Sequence, residues 1–256
     1  MTTHLDAVHA RFDPRAQAYL DSAVHAQGAD LRCAAELVAG LPRRCARALD
    51  LGSGAGHLAY ALAPAVDEMV AFDASESMLA VVRERASRQG FDHLRVQAGD
   101  VHALPFADAS FDLVATRYSA HHWSRLEAAM LEARRVLRPG GQLLVIDLEG
   151  PADALVDTHL QCIELLRDGS HVRNRSRAEW LALLQHVGVE VLHEQRWPTR
   201  LQFDAWVARM QTPPTLVQAI RQLLQVAPTE VRDALQVEAD GSFTPHTVLW
   251  WARCGA

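Results

Sequence analysis

The sequence predicts an α/β fold, a doubly wound and mostly parallel sheet flanked by helices. Three observations carry this expectation. Short apolar runs alternate with amphipathic helical runs from residue 46 to 150, the pattern of successive β-α-β units. A glycine-rich turn follows the first apolar run directly, where such sheets approach a ligand closely. The chain has 256 residues, enough for one large α/β core with added helical elements.

In chain order, residues 3–40 read as helical, with Phe12, Tyr19, Val24, Leu31, Ala35 and Val38 at broadly helical spacing. Asp13 followed by Pro14 suits a helix start, and Gly40 and Pro42 close the segment. Strand-like runs are expected at 46–51, 68–73, 93–100, 110–119 and 142–150, and helices at 57–64, 75–90 and 125–137. The turn Arg138–Pro139–Gly140–Gly141 precedes the fifth strand. Crossovers between parallel strands should be right-handed. Beyond 150, helices are expected at 153–168 and 176–188. Ser176 and Glu179 are spaced as a capping box at the start of the second. Strands follow at 189–197 and 245–254, separated by helical sequence over 203–236 that is broken at Pro213–Pro214 and at Pro228. The expected division is a helical lid over 1–45, a ligand-binding core over 46–150 and the remainder over 151–256, with a helical insertion at about 200–238.

Composition excludes several chemistries. The chain contains no lysine, so a Schiff-base lysine and a phosphate loop of the Walker type are ruled out. Its net charge is −6, without a basic stripe, which disfavours nucleic acid as a partner. No apolar run approaches the ~18 residues of a membrane span. The opening MTTHLDAVHARFDPRAQ has no apolar core behind a basic flank, so no secretory signal is expected. Cys33, Cys45, Cys162 and Cys254 are scattered. They read as reduced thiols of a cytoplasmic protein and not as a metal set.

Three carboxylates stand at three successive strand ends. Asp50 opens the turn Asp50-Leu-Gly52-Ser53-Gly54-Ala-Gly56. Glycines there let the backbone approach a nucleotide cofactor, although a tight turn without ligand has the same layout. The third glycine comes one position earlier than in the dinucleotide pattern, and His57 fills the later slot. Asp73 ends the second strand. Its two oxygens can accept from both hydroxyls of a ribose, or it can cap the next helix, for which Ser75 is an equal candidate. Asp100 follows Gly99 at the end of the third strand. There it can accept from an exocyclic amine beside the backbone N–H of Val101, or serve as a turn aspartate.

The runs ALDLGSGAGHLAYALA, VAFDASESMLAVV, AGDVHALPFADASFDLVATRYSAHHW and EARRVLRPGGQLLVID closely resemble the class I S-adenosylmethionine-dependent methyltransferases. Within these they resemble the ubiquinone/menaquinone-biosynthesis C-methyltransferases and the malonyl-carrier O-methyltransferase of biotin synthesis. The resemblance covers about residues 46–150. It implies a Rossmann-like, seven-stranded, mostly parallel sheet with an antiparallel last strand, S-adenosyl-L-methionine as cofactor and S-adenosyl-L-homocysteine as product. It further implies that Gly52, Ser53, Gly54 and Gly56 cradle the methionine part, with Asp50 at the turn. Asp73 with Ala74 would hold the ribose, and Asp100 and Val101 the adenine. Met78 would pack by the adenosine, though it also suits a helix core. Tyr19 and His25 resemble positions that close over the cofactor, though they also suit packing residues.

Methyl transfer from a sulfonium is an in-line displacement that demands alignment more than acid–base groups. The candidates for the acceptor side follow the fourth strand. Tyr118, His121 and His122 can bind or deprotonate an acceptor, or pack against the sheet; Arg117 can touch the cofactor or lie on the surface. Phe203, Trp206 and Met210 form a stripe that is either core or acceptor pocket. His171 and Arg173 sit in a loop, where they can meet an anionic acceptor or read as solvated residues. The expected activity is C- or O-methylation of a small molecule. An NAD(P)-dependent oxidoreductase and an inactive cofactor-binding protein are the alternatives. The acceptor and the oligomeric state are not legible.

Overall fold

The structure, a computed structural model, describes residues 3–15 and 28–255. Seven strands form one sheet in the order β3-β2-β1-β4-β5-β7-β6. They are β1 (Cys45–Leu51), β2 (Val66–Asp73), β3 (Leu94–Ala98), β4 (Phe111–Arg117), β5 (Leu137–Glu149), β6 (Val189–Pro198) and β7 (His246–Cys254). The first five run parallel, and β7 lies antiparallel between β5 and β6. The Rossmann-like expectation, with its antiparallel last strand, therefore holds.

Alternation along each strand sends side chains to two separate cores. Leu49, Leu51, Val70, Phe72 and Trp250 meet α5 (Leu126–Val136) and α7 (Arg177–His186) on one face. Ala48, Met69, Ala71, Leu113 and Trp251 meet α2 (Ala29–Ala39), α3 (His57–Leu62) and α4 (Glu76–Gln89) on the other. A third cluster joins α6 (Ala154–Arg167) to α8 (Phe203–Arg209), α9 (Pro214–Val226) and α10 (Thr229–Ala234). Phe203, Trp206 and Met210 are all buried, and Trp206 packs edge-on to Phe243 at 5.0 Å.

The first helix is α1 (His4–Phe12): Thr3 caps it in a capping box with Asp6, and Asp13 is its C-cap. The Thr3 hydroxyl and the Asp6 carboxylate satisfy each other's backbone N–H. A short 3-10 turn starts at Asp13 and runs to Arg15, and the residues that follow it, 16–27, lie outside the described residues. Two expectations need correction. The turn at Arg138–Gly141 lies inside β5. Phe111 pairs with Leu137, and the ladder resumes at Leu113 and Gln142 after a register shift; the turn is a bulge in the strand. Finally, His171 is buried, hydrogen-bonded through Nε2 to Gln161 at 2.8 Å. Arg173 pairs with Asp157 at 2.8 Å and Glu179 at 3.1 Å. Neither is a freely solvated loop residue.

Candidate active site

The strand order reverses its direction of growth between β1 and β4, which leaves a crevice at their carboxyl ends. A cavity of about 340 Å³ occupies it. Asp50, Gly52, Ser53, Gly54, Asp73, Ala74, Met78, Asp100, Val101, Arg117, Tyr118 and His122 all line it. The three carboxylates expected from the strand ends are thus brought to one space.

The glycine turn is held from below, where the backbone N–H groups of Gly52 and Ser53 both donate to the Phe72 carbonyl, at 2.8 and 3.0 Å. Gly52 has φ +65°, and a Cβ there would lie 1.9 Å from the Ser119 hydroxyl oxygen. Gly54 has φ +51°, and its Cβ direction is empty within 4 Å; this backbone faces the open cavity. Gly56 does not line it. A Cβ at Gly56 would meet the Tyr60 ring at 2.9 Å, so its smallness serves the packing of α3 behind the turn.

Each carboxylate is fixed differently. Asp50 accepts from the Ala59 N–H at 3.1 Å through one oxygen. Burial pushes its pKa up to about 7. Asp73 accepts from Gly54 N–H at 2.7 Å and Ser75 N–H at 2.9 Å. Burial raises its pKa, and these two donors partly offset the rise. Ser75, not Asp73, caps α4, accepting from Met78 N–H at 3.1 Å. At Asp100 the effect of burial is outweighed by the backbone and ring of His102, so its pKa lies below the usual range.

Two polar atoms at the turn, Asp50 Oδ1 and Ser53 Oγ, are buried with no hydrogen-bond partner among the described residues. Such atoms ask for a ligand that supplies the missing partner. Together with the open Gly54 backbone and a carboxylate at each successive strand end, they fit a cofactor with an amino-acid end and a nucleoside end.

Beyond β4 the chain turns sharply. Tyr118 has φ +50°, a conformation bulky residues rarely adopt and one that collects at functional sites. Its hydroxyl pairs with Thr247 at 2.8 Å, and burial pushes its pKa up to about 12. His122 donates through Nδ1 to the Ser170 carbonyl, 3.1 Å away. Burial and the neighbouring His121 lower its pKa to about 4. His121 stands off the large cavity and lines a second one of about 80 Å³.

Sequence reasoning expected a lid from residues 1–45 but did not single out the α1 side chains that line the larger cavity, Thr3, His4, Leu5, Val8 and Phe12. His4 Nε2 meets the His122 carbonyl at 2.8 Å across 118 residues of chain. No local pattern marks that docking. Ser119 and Trp123, joined at 3.1 Å, were also missed. Tyr19 and His25 lie outside the described residues.

The model for the family described as a methyltransferase domain matches residues 49–145, the stretch that carries the turn and all three carboxylates. The uncharacterized methyltransferase YcgJ of Bacillus subtilis is 35% identical over 91% of this chain and 92% of its own. The chain belongs to the class I S-adenosylmethionine-dependent methyltransferases. The crystal structure of YcgJ superposes on this methyltransferase with a TM-score of 0.82, at 33% identity over 89% of this chain and 98% of that one. An uncharacterized protein of Escherichia coli, YafE, is 42% identical over 76% of this methyltransferase and 94% of its own length. The ubiquinone/menaquinone biosynthesis C-methyltransferase of Dinoroseobacter shibae matches a shorter part, 42% identical over 41% of this chain and 44% of its own. No helix among the described residues is long and apolar enough to cross a membrane.

Proposed function

We propose that this methyltransferase binds S-adenosylmethionine in the larger cavity and transfers its methyl group by in-line displacement to a small-molecule acceptor. The observation that carries this reading is the convergence of Asp50, Asp73 and Asp100 on one cavity beside the open backbone of Gly54. In this assignment Asp50 Oδ1 and Ser53 Oγ hold the amino-acid end, and Arg117 faces it from β4. Asp73 and Ala74 hold the ribose. Both oxygens of Asp73 already take one backbone N–H each, which fixes the carboxylate plane and leaves lone pairs for two hydroxyls. Asp100 and the N–H of Val101 take the adenine edge, and Met78, buried against Ala55, packs by it.

The bound cofactor supplies an electrophilic methyl on a sulfonium. The protein's part is then to align the acceptor and exclude water. Leu5, Val8 and Phe12 wall the cavity from the side of α1, which supports a covering role for the 1–45 segment. Leu201, Trp206 and Arg209 line the second cavity, which supports an acceptor-side role for the helices near 200–238. A small molecule suits the enclosed space and the net charge of −6. The D. shibae relative named for ubiquinone/menaquinone biosynthesis points the same way.

Calorimetric titration with S-adenosylhomocysteine, with NAD and NADP in parallel, tests the proposal. Selective binding in the micromolar range, about −8 kcal/mol, is expected. Binding of a nicotinamide cofactor instead, or of none after bound endogenous ligand has been excluded by mass spectrometry, would overturn it.

A further inference from the structure

Two buried groups beside the larger cavity have no work in the scheme above. The second cavity shares Phe12, Tyr118 and His122 with the first, so it lies against the same wall. His121 lines it, with Nδ1 2.6 Å from Asp147 Oδ1. The other Asp147 oxygen accepts from the His121 backbone N–H at 3.1 Å, and Asp147 is 1% exposed. A buried carboxylate at Nδ1 fixes the proton there and leaves the lone pair on Nε2. Among the described residues the hydrogen bonds of His121 to Asp147 run through its backbone N–H and Nδ1, not through Nε2.

Glu164 is the second such group. It lines the same cavity at 4% exposure. One of its oxygens lies 3.4 Å from Arg167, and Oε1 has no partner among the described residues. A buried carboxylate oxygen left in that state calls for a donor from a ligand. Leu148, Leu201 and Trp206 supply apolar wall beside these polar groups.

We propose that the second cavity receives an aromatic acceptor bearing two hydroxyls, that His121, oriented by Asp147, takes the proton of the hydroxyl being methylated, and that Glu164 accepts from the other. This rests on the reading of S-adenosylmethionine as methyl donor. In the step, the acceptor O–H bond breaks and its proton passes to Nε2 of neutral His121. The oxygen lone pair forms the bond to the methyl carbon as the carbon–sulfur bond breaks, and that electron pair stays on sulfur. The imidazolium afterwards gives its proton to water. His121 is the catalytic group and Asp147 its positioning residue.

The groups that set the titration of His121 come from every side. His122 follows it in the same turn, Asp147 lies on β5, Glu164 and Asp168 belong to α6 and its end, the His171 ring lies tilted at 5.8 Å, and Arg167 and Arg209 line the same cavity. Burial alone would lower the His121 pKa. The charge and hydrogen bond of Asp147 outweigh that and raise it, with Glu164 and Asp168 adding to the rise. The base is therefore competent only at the alkaline side of its titration.

The test uses catechol and phenol as probes, each titrated against the S-adenosylhomocysteine-saturated protein and assayed for methyl transfer. Catechol should bind roughly tenfold tighter than phenol, and Glu164→Leu should remove that preference. His121→Gln should retain homocysteine-product binding, which reports the fold, yet lose roughly a hundredfold or more in catechol turnover. Asp147→Asn should move the rising limb of the pH–rate profile to lower pH, since it removes what raises the His121 pKa; a merely structural Asp147 would leave that limb in place. Equal binding of the two probes, no binding of either, or full turnover in His121→Gln would overturn the proposal. Failure of the product itself to bind wild-type protein would instead sink the cofactor reading.

Discussion

Arg117 at the end of β4 and Asp30 in the first turn of α2 form an ion pair at 2.5 Å, with both side chains buried. The pair ties the amino-terminal part of the chain to the strand end that lines the cavity. It also restrains the guanidinium, which stacks over the Tyr118 ring at 4.6 Å. Asp30→Ala removes a buried carboxylate from a buried guanidinium and should cost more than the about 1 kcal/mol of an exposed pair. Denaturant titration should show a lower midpoint with an unchanged slope. A loss below about 1 kcal/mol, as for exposed pairs, would contradict the burial seen here.

Gly52 stands against Ser119. A Cβ would fall 1.9 Å from the serine oxygen and 2.7 Å from its Cβ, on a backbone with φ +65°. Gly52→Ala should lower product affinity at least roughly tenfold and stability by about 1–3 kcal/mol. Adding Ser119→Gly removes the clash and leaves the unfavourable φ, so calorimetry should find affinity partly regained. Full recovery would mean that the dihedral carries no cost.

Asp73→Ala is expected to weaken S-adenosylhomocysteine binding by roughly 2–4 kcal/mol, since two hydroxyls lose a charged acceptor. Unchanged affinity in that variant would remove Asp73 from the site. Asp73→Asn should fall between the two, because one oxygen remains to accept.

Asp50 gives a pH signature. Its folded pKa of about 7 lies above the ordinary 3.8, so the folded chain holds a proton that the unfolded chain releases in that window. The carboxylate therefore penalises the folded state increasingly as pH rises from about 4 to about 7, by a few kcal/mol at most. Asp50→Asn should lose less stability than wild type over the same rise, as read from denaturation midpoints at each pH. A cationic ligand end beside Asp50 favours the ionised form, so product binding should release a proton near pH 6. Calorimetry in buffers of different ionisation enthalpy reads that release, and its absence would detach Asp50 from the ligand.

Much of the sheet was legible because it is written locally. Alternating apolar runs, the turn at Gly52–Gly54 and the strand-end aspartates Asp50, Asp73 and Asp100 each follow from neighbours within a few residues. The Ser176–Glu179 capping box did as well.

The sequence by itself determined that three carboxylates and an open glycine backbone would meet at one sheet edge, because parallel strands that leave one core place their ends side by side. Only the tertiary structure decided that Gly56 packs against Tyr60, that α1 walls the cavity, and that His121 belongs to a second cavity with Asp147 and Glu164. Those contacts join segments far apart in the chain. They depend on how helices dock on the finished sheet, and no local period records that docking.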